Sequence, residues 1–323
     1  MDILFCNIGE HPFYNGEIGI PTKGGGEWNK EHIPGEINNF TNCNGMYYGE
    51  VEPPGDDKVI AVESHFSDIC GESWKDQYAR DVLVIWTAKG ILVGWYKHAN
   101  VYYFKQNLTE KTGRIYDTYN VSSKEAVRIP NGQRKKFIDF TFRSTYFAED
   151  EKGKEIVEKV LEYIEEYEKY LDFVNHKSEE ELNDLDESKL TGEDVEHLGK
   201  YRRNQEAFRR QLIRNYGGKC SMCPCGINIE EVLIASHIKP WADSDCNEKL
   251  SSCNGLLLCP NHDKLFDKFL ISFDDDGKIL ISEKLKKNSP HLFNISENTT
   301  IKVKDEMKSF LAYHRAKFFE KNK

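Results

Sequence analysis

Apolar residues fall in short runs and alternations over the first 147 positions and recur at three- and four-residue steps afterwards, so the chain reads as β-rich and then helical. Ile3-Leu4-Phe5 opens a first strand and Val59-Ile60-Ala61-Val62 a second. The run from Asp81 to Trp86 turns at Ala88-Lys89-Gly90 into Ile91 to Tyr96; Val101-Tyr102-Tyr103-Phe104 follows, and Phe137-Ile138-Asp139-Phe140-Thr141-Phe142 closes the set. From Glu149 the period changes. Ile156, Val157, Val160, Leu161, Ile164, Tyr167, Leu171 and Val174 form the apolar stripe of one long helix. Such a stripe has to be covered, either by a neighbouring domain or by its twin in a homodimer. An acidic stretch reads next as a loop or short helices. A helix over Tyr201 to Tyr216 then ends at Gly217-Gly218, and a last one lies near Lys304 to Phe319.

Between those two helices lies a different pattern. Val232-Leu233-Ile234-Ala235 makes a strand ending at His237, Leu256 to Leu258 makes a second, and Pro260 opens a helix through Lys264, Leu265, Phe266 and Phe269. The fold class expected is therefore α+β: a β-rich domain over 1–147, an acidic helical connector over 148–200, and a two-stranded ribbon with a helix inside a domain over 201–323.

Charge sharpens that division. The net charge of −10 is concentrated in residues 149–200, which carry 7 Lys and Arg against 19 Asp and Glu, whereas residues 201–323 carry 21 against 16. The acidic connector either repels phosphate and keeps nucleic acid on the flanking domains, or is simply a solvated helix face. No apolar run has the length to cross a bilayer, so no membrane partner is expected. The opening MDILFCNIGE lacks the charged and apolar regions of a signal peptide, and a reducing, cytoplasmic setting of bacterial type is expected.

In a reducing setting the cysteines read as metal ligands. Six of the nine lie between Lys219 and Ile281. Cys220 and Cys223 form a C-x2-C pair, and Cys259 with His262 forms a C-x2-H pair thirty-six residues on. Two tight turns of this spacing aim four side chains at one tetrahedral centre and leave no open position, which suits a structural Zn2+. Cys225, just after the first pair, is the rival ligand.

With Ser236-His237-Ile238 on the first strand, Asn254-Gly255-Leu256 before the second and Cys259-Pro260-Asn261-His262-Asp263 at the helix start, residues 200 to 285 resemble the HNH (ββα-metal) nucleases, especially the zinc-clipped domains of McrA-type restriction endonucleases. The resemblance implies that His237 is the general base, that Asn254 pins the loop and the histidine, and that Asp263 binds a catalytic divalent cation, Mg2+ or another, while His262 belongs to the zinc. Many members carry Asp or His just before the base. Ser236 stands there instead, which leaves the identity of the catalytic cation open.

The β-rich domain holds two further features. The segment from Asp81 to Tyr103 concentrates Trp86, Trp95, Tyr96, Tyr102 and Tyr103, and it resembles the PUA-like barrels, including the EVE and YTH groups, that hold a flipped or modified base between aromatic rings. The rings are either a base pocket or barrel core. Lys105, Lys111, Arg114, Arg128, Arg134, Lys135, Lys136 and Arg143 are either a phosphate-facing surface or scattered solvated charge. Gly24-Gly25-Gly26 lacks the strand-to-helix context and the lysine of a phosphate loop and carries no nucleotide role. In the C-terminal domain Arg209, Arg210, Arg214 and Lys239 are the residues expected on the DNA backbone. Together these features predict an endonuclease acting on double-stranded DNA, with a modified cytosine (5-methyl or 5-hydroxymethyl) read by the N-terminal domain, as in a restriction enzyme. The alternatives are an HNH nuclease of homing, phage or toxin type, or a non-catalytic zinc module.

Overall fold

The computed structural model describes the chain except for residues 1, 17–21, 25–31, 54, 109–113, 115, 178, 187–188, 191, 224–228, 289–292 and 323, and describes the backbone alone at 179–180. Gly25, Gly26, Lys111 and Cys225 lie outside the described residues. The chain forms two units, Met1–Lys169 and Tyr170–Lys323.

The first unit is built on one sheet: β1 (Asp2–Asn7), β2 (Asn42–Cys43), β3 (Met46–Gly49), β4 (Ile69–Cys70), β5 (Tyr78–Ala88), β6 (Ile91–Asn107), β7 (Thr118–Ser123), β8 (Glu125–Arg128) and β9 (Thr145–Tyr146). Its order is β2-β3-β7-β6-β5-β1-β9, with β4 paired to β5 and β8 to β6. No ladder among the described residues joins β2 to β9, so the sheet is open and the expected barrel is not closed. Its centre is the predicted hairpin. Lys89 (φ 52°) and Gly90 (φ 80°) form the two-residue turn, both left-handed as a tight hairpin demands, and a Cβ on Gly90 would meet the Ile138 carbonyl at 2.0 Å. β1 is parallel to β5, pairing Asp2 to Asn7 with Val82 to Thr87. Strand β6 runs unbroken through both segments that the sequence separates.

Two predicted strands are absent. Val62–His65 is a short helix, α1, and only Lys136 makes a bridge near 137–142. The alternating rings there pack as irregular chain: Phe140 and Phe142 lie 5.3 and 5.5 Å from Tyr146, while the Phe137 amide donates to the Gly90 carbonyl at 3.0 Å.

The 25-residue helix α2 (Glu151–Asn175) follows. Its stripe is covered by its own chain rather than waiting for a twin: Tyr167 meets the Trp95 ring edge-on at 5.6 Å, and Tyr163 lies 5.4 Å from Phe137. The division between units falls inside this helix, within the stretch 148–200 expected as an acidic connector.

The second unit continues with α3 (Glu179–Asn183) and α4 (Glu193–Asn215), then the ribbon β10 (Ile234–His237) and β11 (Gly255–Leu258), helix α5 (Pro260–Asp267), the hairpin β12 (Ile271–Phe273) and β13 (Ile279–Ile281), α6 (Glu283–Lys286) and α7 (Lys308–Lys321). Register pairs Ile234 with Leu258 and His237 with Gly255. Leu256, Leu257, Leu258, Phe266 and Phe273 are fully buried and form the core on which α4 and α7 lie. No described helix is long and apolar enough to cross a membrane.

His314 of α7 is 2% exposed and stacks on Phe266 at 3.8 Å; its Nε2 donates to the Phe266 carbonyl at 3.1 Å, and its Nδ1 accepts from the Ser272 hydroxyl at 2.9 Å. Burial above all pushes its pKa from 6.5 down to about 4. Because the unfolded chain protonates this imidazole at higher pH than the fold does, the contribution is whole above pH 6.5 and is lost as pH falls towards 4. At ~1.4 kcal/mol per pH unit it amounts to on the order of 3 kcal/mol. Denaturant titrations between pH 7 and 4 should show the second unit weakening, and His314→Gln should flatten that slope by about one proton; an unchanged slope refutes the assignment.

Candidate active site in the C-terminal unit

Cys220 and Cys223, after the end of α4, reach Cys259 and His262, which flank Pro260 at the start of α5. The four donor atoms lie within 4.8 Å of one another. Cys223 Sγ is 3.8 Å from Cys259 Sγ, and His262 Nδ1 is 3.4, 3.6 and 3.4 Å from the sulfurs of Cys220, Cys223 and Cys259. Tetrahedral Zn2+, with Zn–S of about 2.3 Å and Zn–N of about 2.0 Å, separates sulfurs by about 3.8 Å and sulfur from nitrogen by about 3.5 Å. The cluster fits that ion. His262 Nε2 donates to the Phe293 carbonyl at 3.0 Å, which keeps Nδ1 as the lone-pair atom, and the Cys259 amide donates to Cys220 Sγ at 3.3 Å. Burial first, and then the neighbouring sulfurs, push the Cys223 thiol up, a cost that a dication removes.

On the ribbon, His237 Nε2 donates to the Lys249 carbonyl at 2.9 Å, so Nδ1 carries the free lone pair. The ring stacks on Phe208 of α4 at 4.4 Å and meets Trp241 edge-on. Phe208 can come this close because its neighbour is Gly255, where a Cβ would sit 2.7 Å from the Phe208 ring. Burial lowers the His237 pKa to about 4, leaving the imidazole neutral near pH 7.

Asn254 is fully buried. Its Oδ1 accepts from the Lys239 amide at 2.7 Å, while Nδ2 donates to the Lys239 carbonyl, Ser244 Oγ and the Glu248 carbonyl at 3.3, 3.2 and 3.2 Å. The amide thus ties both ends of the loop that presents the Lys249 carbonyl to His237.

Asp263, in the first turn of α5, accepts a hydrogen bond from Ser236, and its desolvation raises its pKa. His237, Ser236 and Asp263 line one cleft of about 590 Å³. Asp267, one helical turn after Asp263, and Asp243 line it too, so three carboxylates face a space where the sequence offers only one beside Ser236. This donor set suits a hard cation that keeps several waters. Lys268, Lys317 and Lys321 lie in the same wall. Asp267 could have been found at four residues from Asp263, and Lys317 and Lys321 by the same spacing on the last helix; nothing in the sequence brings the two helices to one cleft.

The expected backbone contacts divide. The Arg209 guanidinium donates to the Glu230 and Leu233 carbonyls and holds the approach to β10. Lys239 is paired with Glu248 at 2.6 Å, both mostly buried. The donors of both already have partners within the unit. Arg210 is exposed and paired to Glu206 at 3.3 Å, and Arg214 is exposed.

In the first unit, Trp86, Trp95 and Tyr96 are fully buried, Trp86 and Tyr96 on one face and Trp95 against α2, with its Nε1 donating to Glu168 at 3.3 Å. They are core and offer a base no surface; only Tyr102 of the four expected rings is partly exposed. Nor do the basic residues form one surface. Arg114 and Arg128 are buried, Arg134 donates to the Ile129, His11 and Pro12 carbonyls, and Lys105 is paired with Glu50 and Glu52.

Residues 220–274 match the family HNH_2, described as an HNH endonuclease. A search of curated proteins gave no match. The matched span begins at the first cysteine of the cluster and includes His237, Asn254 and Asp263.

Full-length protein should hold one Zn2+ per chain by elemental analysis. Removal by a strong chelator, or Cys259→Ala, should unfold the second unit while the far-UV signature of the sheet in Met1–Lys169 persists. Metal-free protein with unchanged thermal unfolding refutes the structural role.

Proposed function

We propose that this chain is a metal-dependent DNA endonuclease that hydrolyses phosphodiester bonds at the ribbon-helix element of its C-terminal unit. The observation that carries the reading is the cleft shared by His237, Ser236 and Asp263, with the imidazole turned so that Nδ1 is its basic atom. His237 Nδ1 takes a proton from the attacking water, its tautomer held by the Lys249 carbonyl and its plane by Phe208. Asp263 and Asp267 would hold a divalent cation, Mg2+ or another, which supplies positive charge for the phosphate as negative charge builds on it. Lys317 and Lys321 provide cationic contacts for the flanking phosphates, while Lys268 is paired with Asp267 at 2.9 Å.

His237→Ala or Asp263→Ala should lower plasmid cutting by about 10²- to 10⁴-fold with DNA binding retained. His262→Ala should instead lose folded protein. Lys317→Ala and Lys321→Ala should each reduce the salt slope of DNA binding by about 0.9. Cutting at the wild-type rate by either of the first two variants refutes the roles.

Selection of modified cytosine, as in restriction, is the finer reading, and it needs a pocket other than Trp86, Trp95 and Tyr96. Matched plasmids with and without 5-methyl- or 5-hydroxymethylcytosine test it: preferential cutting of the modified plasmid supports this reading, and equal cutting removes it while leaving the nuclease in place.

A further inference from the structure

The first unit contains a buried cation to which no described residue offers a hydrogen-bonded anion. Arg114 is 8% exposed, and none of its three guanidinium nitrogens is hydrogen-bonded to another described residue. A guanidinium out of water is costly without a carboxylate or phosphate beside it, and buried charges in folded proteins are ordinarily paired. The carboxylate just beyond β3 is already committed: Glu50 takes Lys105 at 2.8 Å and the Thr118 hydroxyl at 2.7 Å.

Tyrosine rings lie beside Arg114. Its Cζ lies 6.0 Å from the centre of the Tyr48 ring, and at Tyr119, whose pKa burial above all pushes up to about 12, the Arg114 charge pulls the other way. Tyr48 and Tyr119 are 4.8 Å apart, Tyr119 meets Tyr102 edge-on at 5.5 Å, and Tyr102 stacks on Tyr78 at 5.3 Å. These rings stand on β3, β7, β6 and β5, four consecutive strands of the sheet, and each is only partly buried. They form a row distinct from Trp86, Trp95 and Tyr96, which are core.

We propose that Arg114 and the tyrosine row Tyr48, Tyr119 and Tyr102 form a nucleotide-binding site, the guanidinium taking the phosphate and the rings stacking on the base. A guanidinium presents a planar fork of donors that matches two phosphate oxygens, and a tyrosine face accepts any base. The shared chemistry is a 5′-phosphorylated nucleoside, whether free or as an unpaired nucleotide of a strand. The site does not depend on the nuclease reading; that reading bears only on which source supplies the nucleotide.

The experiment uses the full chain in two measurements. Calorimetric titration compares deoxynucleoside monophosphates and a short single-stranded oligonucleotide with the matching deoxynucleosides, in wild type, Arg114→Met and Tyr119→Leu. Phosphorylated probes should bind the wild type about tenfold or more tightly than the nucleosides, and Arg114→Met should abolish that difference. Binding of the oligonucleotide alone assigns the source to a strand, and binding of the monophosphates assigns it to free nucleotide.

Thermal unfolding without ligand is the second measurement. An arginine kept for a ligand rather than for the fold gives an equal or higher Tm in Arg114→Met, since a buried unpaired charge is exchanged for an apolar chain of similar length. A Tm several degrees lower marks Arg114 as structural and overturns the proposal, as does wild type that binds no phosphorylated probe. Loss of cutting in His237→Ala, or failure of the chain to cut at all, moves neither measurement.

Discussion

The C-terminal unit depends on the convergence of Cys220, Cys223, Cys259 and His262. The ribbon strands are four residues each and the helix after them eight, too little to bury a core of their own. Four ligands on one cation would join the end of α4 to the start of α5 and so fix the ribbon between them. Asp263 directly follows the last ligand, and its place at the cleft is therefore set by the clip that holds His262. On the proposed function, a scaffold ion and an acting carboxylate would lie on adjacent residues, separating folding from chemistry without separating them in space.

Around that clip the site is held by a network of buried contacts. Asn254 uses both ends of its amide to close the loop between Lys239 and Glu248; the loop offers the Lys249 carbonyl to His237, and Gly255 lets Phe208 approach and stack on the ring. Each contact narrows the imidazole to one tautomer and one plane. Burial then keeps it neutral, the form that can accept a proton. Ser236 hydrogen-bonds Asp263, and Asp243 and Asp267 add further carboxylates to the cleft wall.

The first unit follows a different constraint. Its sheet is covered on one face by α2 and has Trp86 and Tyr96 in the core of the other, so the most aromatic hairpin of the chain is spent on cohesion. The charged residues nearby mostly satisfy backbone carbonyls or carboxylates. Arg114 does not, which sets it apart from Arg134 and Lys105.

What the sequence determined by itself was local. The C-x2-C and C-x2-H spacings, the turn at Lys89-Gly90, proline at the start of α5 and the stripe of α2 depend on neighbours a few residues apart, and the structure keeps them. Tertiary structure decided whatever needed a partner from afar. Alternation in Phe137 to Phe142 predicts a strand, but no long ladder takes it up; conjugated rings in β5 and β6 suit a pocket or a core equally, and only the burial of both sheet faces selects core. Lys239 and Arg209 look free in sequence until Glu248 and the Leu233 carbonyl claim them, and Lys317 and Lys321 join the cleft only because α7 folds back onto the unit that carries His237. Periodicity reports the face a residue occupies, whereas function depends on what stands opposite that face, and this is set by contacts between segments far apart in the chain.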